Sequence, residues 1–155
     1  TRLDYFFDRM RHAVGSQEHV WGQPVMSRLS LQPSEYWARQ CYTGSSFIRP
    51  GEVPSRYKVG VDSIMWGSDY PHKETSFPYS TEALRAAFAD CAPVEIEQML
   101  GLNAAEVYGF DLKQLAPIAA KVGPKVSDVA VALPKGGVPK EAQRCPAFVG
   151  LTADV

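Results

Sequence analysis

Asp69 and His72 lie three residues apart, directly after the short apolar run at residues 64–66. Gly67 and Pro71 flank Asp69 and interrupt the apolar pattern, so the run predicts a short buried strand that ends in a polar loop. In α/β folds, reactive groups collect at the carboxyl ends of strands, because the sheet holds them rigidly and the loops bring in the substrate. The pattern therefore predicts a candidate active-site edge that carries a carboxylate and an imidazole.

Each of these residues also has a simpler interpretation. Asp69 can make a turn with its own backbone. His72 can be a hydrogen-bond partner, a substrate contact or an ordinary loop residue. The other two histidines, His12 and His19, fall on or just after a predicted helix, and we expect Asp8 and His12 to form a solvated i,i+4 pair rather than a metal site.

Composition excludes several classes of function. The chain has 155 residues, of which 45% are hydrophobic, and a net charge of -1. This near-balance of charge argues against a nucleic-acid partner and against a basic membrane surface. The three cysteines are widely spaced, so we expect neither a disulfide framework nor a thiolate zinc site. This cysteine usage also predicts a reducing, cytoplasmic location. No apolar stretch approaches the roughly 20 residues of a membrane-spanning helix.

Helical and strand patterns alternate up to the candidate site. Because such alternation is typical of parallel strands joined by crossover helices, it predicts an α/β fold. The predicted elements are a helix at residues 3–15, a helix at 33–39, a strand at 41–43, a helical turn at 54–59 ended by Gly60, and a strand at 63–66.

Helical patterns follow the candidate site. Ser80 is predicted to cap a helix whose apolar face carries Leu84, Ala87, Phe88 and Cys91. A helix from Pro93 to Gly101 and a shorter helix ending at Gly109 come next. The segment at residues 103–106 resembles a capping box with Asn103 in place of Ser or Thr. Residues 112–122 predict one more helix, followed by an extended, proline-rich tail that is apolar enough to pack on a surface.

Two strands and several helices cannot form a stable parallel sheet, since such sheets are buried on both faces. A complete (β/α)8 barrel needs at least about 200 residues. We therefore expect residues 1–110 to be the carboxyl-terminal part of such a barrel, with about its last two β/α units. Residues 111–155 are then a carboxyl-terminal extension that packs on the barrel or on a partner.

Three segments together resemble a known family. They are PSEY at residues 33–36, GSDYPH at 67–72 and GLNAAEVYGF at 101–110, and their order is similar to that in the amidohydrolase-related metal-dependent hydrolases. The similar branch includes aminocarboxymuconate-semialdehyde decarboxylase. The resemblance covers about residues 1–120 and implies a (β/α)8 barrel with one divalent metal ion, most often zinc or manganese.

The resemblance also implies a set of metal ligands. The family uses a His-x-His pair on the first strand, histidines on middle strands and an aspartate on the eighth strand. Only the aspartate has a counterpart here, and it is Asp69. The His-x-His pair is absent from the sequence, so the other ligands are expected outside this chain, in the N-terminal half of the barrel or an equivalent partner chain.

The implied activity of the parent enzyme is hydrolysis or decarboxylation of a small carboxylated or cyclic substrate. Asp69 would be a metal ligand and acid/base, because a metal lowers the pKa of bound water to about 7 and a carboxylate beside the ion can accept the proton. His72 would be a second catalytic residue in the pocket above the metal.

Two other functions remain open at this point. The chain can be a catalytically inert structural fragment or subunit that needs an N-terminal partner carrying the histidine ligands. An acyl- or nucleotide-binding module is a weaker alternative, because no glycine fingerprint supports it. A homo-oligomer is also left open.

Overall fold

The computed structural model describes residues 29–151 of a chain that divides into two compact units, residues 1–42 and 43–155. In the first unit, helix α1 spans Pro33–Gln40, as predicted. Its amino end is closed by Glu35, whose Oε2 accepts a hydrogen bond of 2.6 Å from the backbone N–H of Gln32. The helix predicted at residues 3–15, with His12 and His19, lies outside the described residues.

The second unit contains two parallel strands. Strand β1 is Thr43–Ser45 and strand β2 is Ile64–Trp66. Thr43 pairs with Ile64, and Ser45 pairs with Trp66, so the predicted parallel arrangement is confirmed. The strand predicted at residues 41–43 begins two residues later, because pairing with β2 and not local β-propensity determines which residues of this segment form the ladder.

A short helical connection joins the strands. A 3-10 turn at Val53–Ser55 leads into helix α2 at Arg56–Val59. Gly60 ends this helix with a φ of 108°, and a second 3-10 turn at Val61–Ser63 leads into β2. The predicted helical turn and its terminal glycine are confirmed. Glycine is required here because other residues rarely adopt this backbone conformation.

Helix α3, Ser80–Phe88, covers one side of the main core. Leu84, Ala87 and Phe88 of the predicted apolar face are buried, and Cys91 is buried beyond the end of the helix. Ser80 is the first residue of the helix and not its cap, since Tyr79 occupies the capping position. The main core also contains Val53, Ile64, Ile96, Met99 and Val129.

The next helix does not end at Gly101. Helix α4 at Pro93–Glu97 continues through a π-helical turn at Gln98–Leu102 into helix α5 at Asn103–Tyr108. The predicted break and the predicted capping box at Asn103 are therefore wrong. Asn103 is inside the continuous helix and 5% exposed. Its side chain is used in a tertiary contact instead of a cap. The predicted end at Gly109 is confirmed, with a left-handed φ of 68°.

Helix α6 spans Leu112–Val122, as predicted, and Asp111 caps it by accepting hydrogen bonds from the backbone N–H groups of Lys113 and Gln114. The tail beyond it is not extended throughout. It forms helix α7 at Val126–Val129 and 3-10 turns at Lys140–Arg144 and Pro146–Phe148. Proline starts the last of these turns because its fixed φ suits the first helical position.

The tail buries apolar side chains against α3. Val129 and Phe148 are each 1% exposed, and Phe148 lies in a second cluster with Ala83 of α3. The Arg85 guanidinium donates to the backbone oxygens of Val131 and Ala132, both at 2.8 Å.

The division of the chain at residue 110 stays a prediction. None of the described helices is long and apolar enough to cross a membrane.

Candidate functional site

The candidate site lies in the loop at the carboxyl end of β2. Asp69 follows this strand by three residues and adopts a φ of 58°, in the left-handed region. Aspartate tolerates this conformation better than most residues do, because its short polar side chain can hydrogen-bond locally. The Asp69 side chain is 44% exposed. The carboxylate is therefore presented to solvent by a backbone held in a sparsely populated conformation.

His72 lies beside this carboxylate. Its Nδ1 is 3.5 Å from Asp69 Oδ2, and its backbone N–H donates a hydrogen bond of 2.8 Å to the Asp69 backbone oxygen. The imidazole is 64% exposed. The structure thus brings together the two residues that the sequence singled out, on one turn of the loop.

The loop is closed by hydroxyl groups that the sequence interpretation missed. The Ser68 backbone oxygen accepts hydrogen bonds from Thr75 Oγ1 at 2.7 Å and from the Ser76 backbone N–H at 3.1 Å. The Ser76 side chain is buried, and its Oγ lies 2.9 Å from Ser80 Oγ in the first turn of α3. The available signal was the cluster of Ser and Thr in a proline-containing loop, which is typical of hydrogen-bonded turns.

Two aromatic rings of the same loop contact each other. Tyr70 and Phe77 make an edge-to-face contact with ring centroids 5.0 Å apart. They are 65% and 58% exposed, which is high for side chains of this size. Their exposure leaves an apolar surface on the loop that carries Asp69.

A separate cavity of about 340 Å³ lies on the face of the sheet that carries Thr43 and Ile64. Arg56 lines it and forms an ion pair with Glu95, with a distance of 2.9 Å between Nη2 and Oε2. Thr43 Oγ1 is buried without a hydrogen-bond partner. Neither Asp69 nor His72 lines this cavity, so it is distinct from the candidate site.

Two of the three cysteines are buried thiols. Cys41, Cys91 and Cys145 are all free. Burial raises the pKa of the Cys91 and Cys145 thiols. These two groups are therefore protonated at neutral pH, and the thiolate needed for nucleophilic attack is not formed.

The three sequence segments lie within the part of the chain that matches a known family. The family model described as Amidohydrolase matches residues 8–110, which is more than half of the chain. The chain belongs to the amidohydrolase family. No curated protein and no solved structure gives a significant match to it.

Amidohydrolases generally use divalent metal ions, and the described residues do not by themselves fit a complete metal centre. Between residues 29 and 151, no group of three or more His, Cys, Asp or Glu side chains lies close enough to hold a metal ion. A catalytic zinc site needs three protein ligands. The loop after β2 offers only two adjacent donors, Asp69 and His72.

The third segment of the amidohydrolase resemblance has a structural role at this site. The side-chain amide of Asn103 donates hydrogen bonds of 2.7 Å to the backbone oxygens of Val61 and Ile64. These two carbonyls flank the start of β2, whose carboxyl end carries Asp69. Asn103 therefore anchors the strand that positions the candidate site.

Proposed function

We propose that this chain is the carboxyl-terminal part of a metal-dependent amidohydrolase with a (β/α)8 barrel. In this proposal the enzyme hydrolyses or decarboxylates a small carboxylated or cyclic substrate, as in the branch similar to aminocarboxymuconate-semialdehyde decarboxylase. The observation that carries the proposal is the position of Asp69, an exposed carboxylate at the carboxyl end of a parallel strand in a chain of this family.

Asp69 has the chemistry for two roles. Its carboxylate oxygens are suitable ligands for a divalent ion, and a carboxylate within reach of a substrate or water can accept and return a proton. His72 is proposed as a second pocket residue. With Nδ1 3.5 Å from the carboxylate, it can orient Asp69 and contact a substrate that approaches the same loop.

The remaining ligands are proposed to come from an N-terminal half of the same barrel or from an equivalent partner chain. Within the described part of the chain, the sheet has only two strands, so each strand has one unpaired edge. Parallel sheets are stable when they are buried on both faces, which supports the addition of further strands. Zinc or manganese is the proposed metal, and a homo-oligomer stays a prediction.

The deciding experiment uses the intact protein with its N-terminal half present. We expect Asp69→Asn to lower metal occupancy and turnover by about tenfold to a hundredfold or more. Removal of groups that only support metal ligands already has an effect of this size. His72→Gln should lower turnover and leave most of the metal bound. Asp90→Asn is the matched control, since Asp90 is an exposed aspartate at the end of α3. Unchanged metal content and turnover in Asp69→Asn would refute the proposal.

A second candidate function is a catalytically inert fragment or subunit that docks on an N-terminal partner. The absence of a three-donor cluster between residues 29 and 151 favours it. Exposed apolar residues on α6 also favour a partner: Leu112, Leu115 and Ile118 are 40–57% exposed. Adding Zn²⁺ or Mn²⁺ to the 155-residue chain alone tests the inert fragment. Tight stoichiometric binding with activity would refute the inert fragment, and we expect neither.

A further inference from the structure

We infer that Thr75 is a positioning residue for Asp69. The Thr75 hydroxyl closes the loop between β2 and α3 and holds the Asp69 backbone in its left-handed conformation. This inference rests on the proposed function in one respect only, which is the importance of the Asp69 carboxylate.

Both peptide units that flank Asp69 are restrained by hydrogen bonds. The Ser68 carbonyl and the Asp69 amide nitrogen belong to one planar peptide unit. A hydrogen bond from Thr75 Oγ1 to the Ser68 oxygen, at 2.7 Å, therefore restricts rotation about φ of Asp69. On the other side, the Asp69 oxygen accepts a bond of 2.8 Å from the His72 N–H, which restricts rotation about ψ.

The Thr75 hydroxyl makes a second contact that the backbone alone does not supply. Its Oγ1 also accepts a hydrogen bond of 3.1 Å from the Phe77 N–H. The hydroxyl thus joins the end of β2 to the residues that lead into α3. The Ser76 N–H also bonds to the Ser68 oxygen, at 3.1 Å, so removal of the hydroxyl takes away the shorter of two closures of the loop.

A non-glycine residue at positive φ is unfavourable by itself and persists only where its surroundings determine it strongly. Asp69 is more than a third exposed, so tight packing of its side chain is not what holds it there. Hydrogen bonds to the Ser68 and Asp69 carbonyls restrain both peptide units that flank this residue, and Thr75 provides the shortest of these bonds.

The test compares Thr75→Val with Thr75→Ser in the 155-residue chain. Valine keeps the branched shape and loses the hydroxyl, whereas serine keeps the hydroxyl and loses the methyl group. The readout is the NMR cross-relaxation peak between the amide and α protons of Asp69, which is strong at positive φ because the two protons are close. We expect this peak to weaken several-fold in Thr75→Val and to keep its wild-type intensity in Thr75→Ser. An unweakened peak in Thr75→Val, or an equal weakening in both variants, would overturn the inference.

A second measurement decides the question if Thr75→Val fails to fold. In an Asp69→Gly background, positive φ is intrinsically acceptable, so Thr75→Val should lower the unfolding midpoint less than it does when Asp69 is present. If Thr75→Val alone is unfolded, the double variant should fold. An equal decrease in both backgrounds, or an unfolded double variant, contradicts the inference. These measurements need neither metal nor substrate, so their failure is distinguishable from failure of the Asp69→Asn experiment.

Discussion

The side-chain amide of Asn103 donates a hydrogen bond of 2.7 Å to the backbone oxygen of Ile64, 39 residues earlier in the chain. Its second amide proton goes to the Val61 oxygen, also at 2.7 Å. Both donors of one buried side chain are therefore used to hold the start of β2 against the helix formed by α4 and α5. Asn103 therefore anchors the amino end of β2, whose carboxyl end leads to the candidate site.

Replacing Asn103 with Leu is expected to destabilise the chain by about 1–3 kcal/mol, the cost of leaving buried backbone acceptors without donors. Leucine has the same branching and is larger than asparagine, so it leaves no cavity, and any overpacking adds to this loss. Urea unfolding at equilibrium measures it. Glu106→Ala, an exposed change on the same helix, should stay within about 0.5 kcal/mol of wild type. Equal stability of Asn103→Leu and Glu106→Ala would show that the amide hydrogen bonds contribute nothing.

The Arg56–Glu95 ion pair predicts a pH dependence of stability. The two side chains are only 11% and 15% exposed. Burial raises the pKa of Glu95, but hydrogen bonds from Tyr57 and Arg56 and the Arg56 charge outweigh it, so the pKa lies below its ordinary value of 4.5. Glu95 therefore binds a proton more tightly in the unfolded chain than in the folded chain. The ion pair stabilises the fold above about pH 4.5, and this stabilisation is lost as the pH falls through the pKa of Glu95 in the folded chain.

Glu95→Gln is therefore expected to lower stability at neutral pH and to reduce the loss of stability on acidification. Urea unfolding of both proteins at about pH 7 and about pH 3 measures the difference. Glu52→Gln is the control, because the Arg49–Glu52 pair is about half exposed, with side-chain exposures of 48% and 51%, and exposed pairs contribute little. If Glu95→Gln and wild type lose equal stability on acidification, this account of the ion pair is wrong.

Gly60→Ala is expected to destabilise the connection between α2 and β2 by about 1–3 kcal/mol, the range for a strained backbone conformation. A Cβ at this position would lie 2.9 Å from Asp62 Oδ1, and φ is +108°. Gly51→Ala is the matched control, since a Cβ there meets nothing within 4 Å. Thermal unfolding of the two variants should separate them clearly, and equal midpoints would count against the strain.

Asp69→Gly is expected to be more stable than Asp69→Ala by about 1–2 kcal/mol, because the left-handed backbone conformation is sterically unfavourable for alanine but not for glycine. Both variants remove the carboxylate, so the difference between them reports the backbone at φ 58°. Urea unfolding of the two variants measures it directly. A more stable alanine variant would mean that residue 69 does not occupy the left-handed region in solution.

Local sequence patterns determined several elements well. The spacing of Leu84, Ala87 and Phe88 predicted the buried face of α3, and Gly109 predicted the end of α5. The breaks at Gly67 and Pro71 placed Asp69 and His72 together in one polar loop. These features depend on neighbours within a few residues, so hydrophobic periodicity, helix caps and turn residues carry the necessary information.

Only the tertiary structure decided the features that join distant parts of the chain. A local pattern predicted Asn103 as a helix cap, yet its amide binds carbonyls 39 and 42 residues away. Arg56 pairs with Glu95 across 39 residues, and β1 takes its register from β2. A hydrogen bond or ion pair of this kind depends on which distant groups folding brings near a side chain. Local propensity contains no information about these long-range contacts.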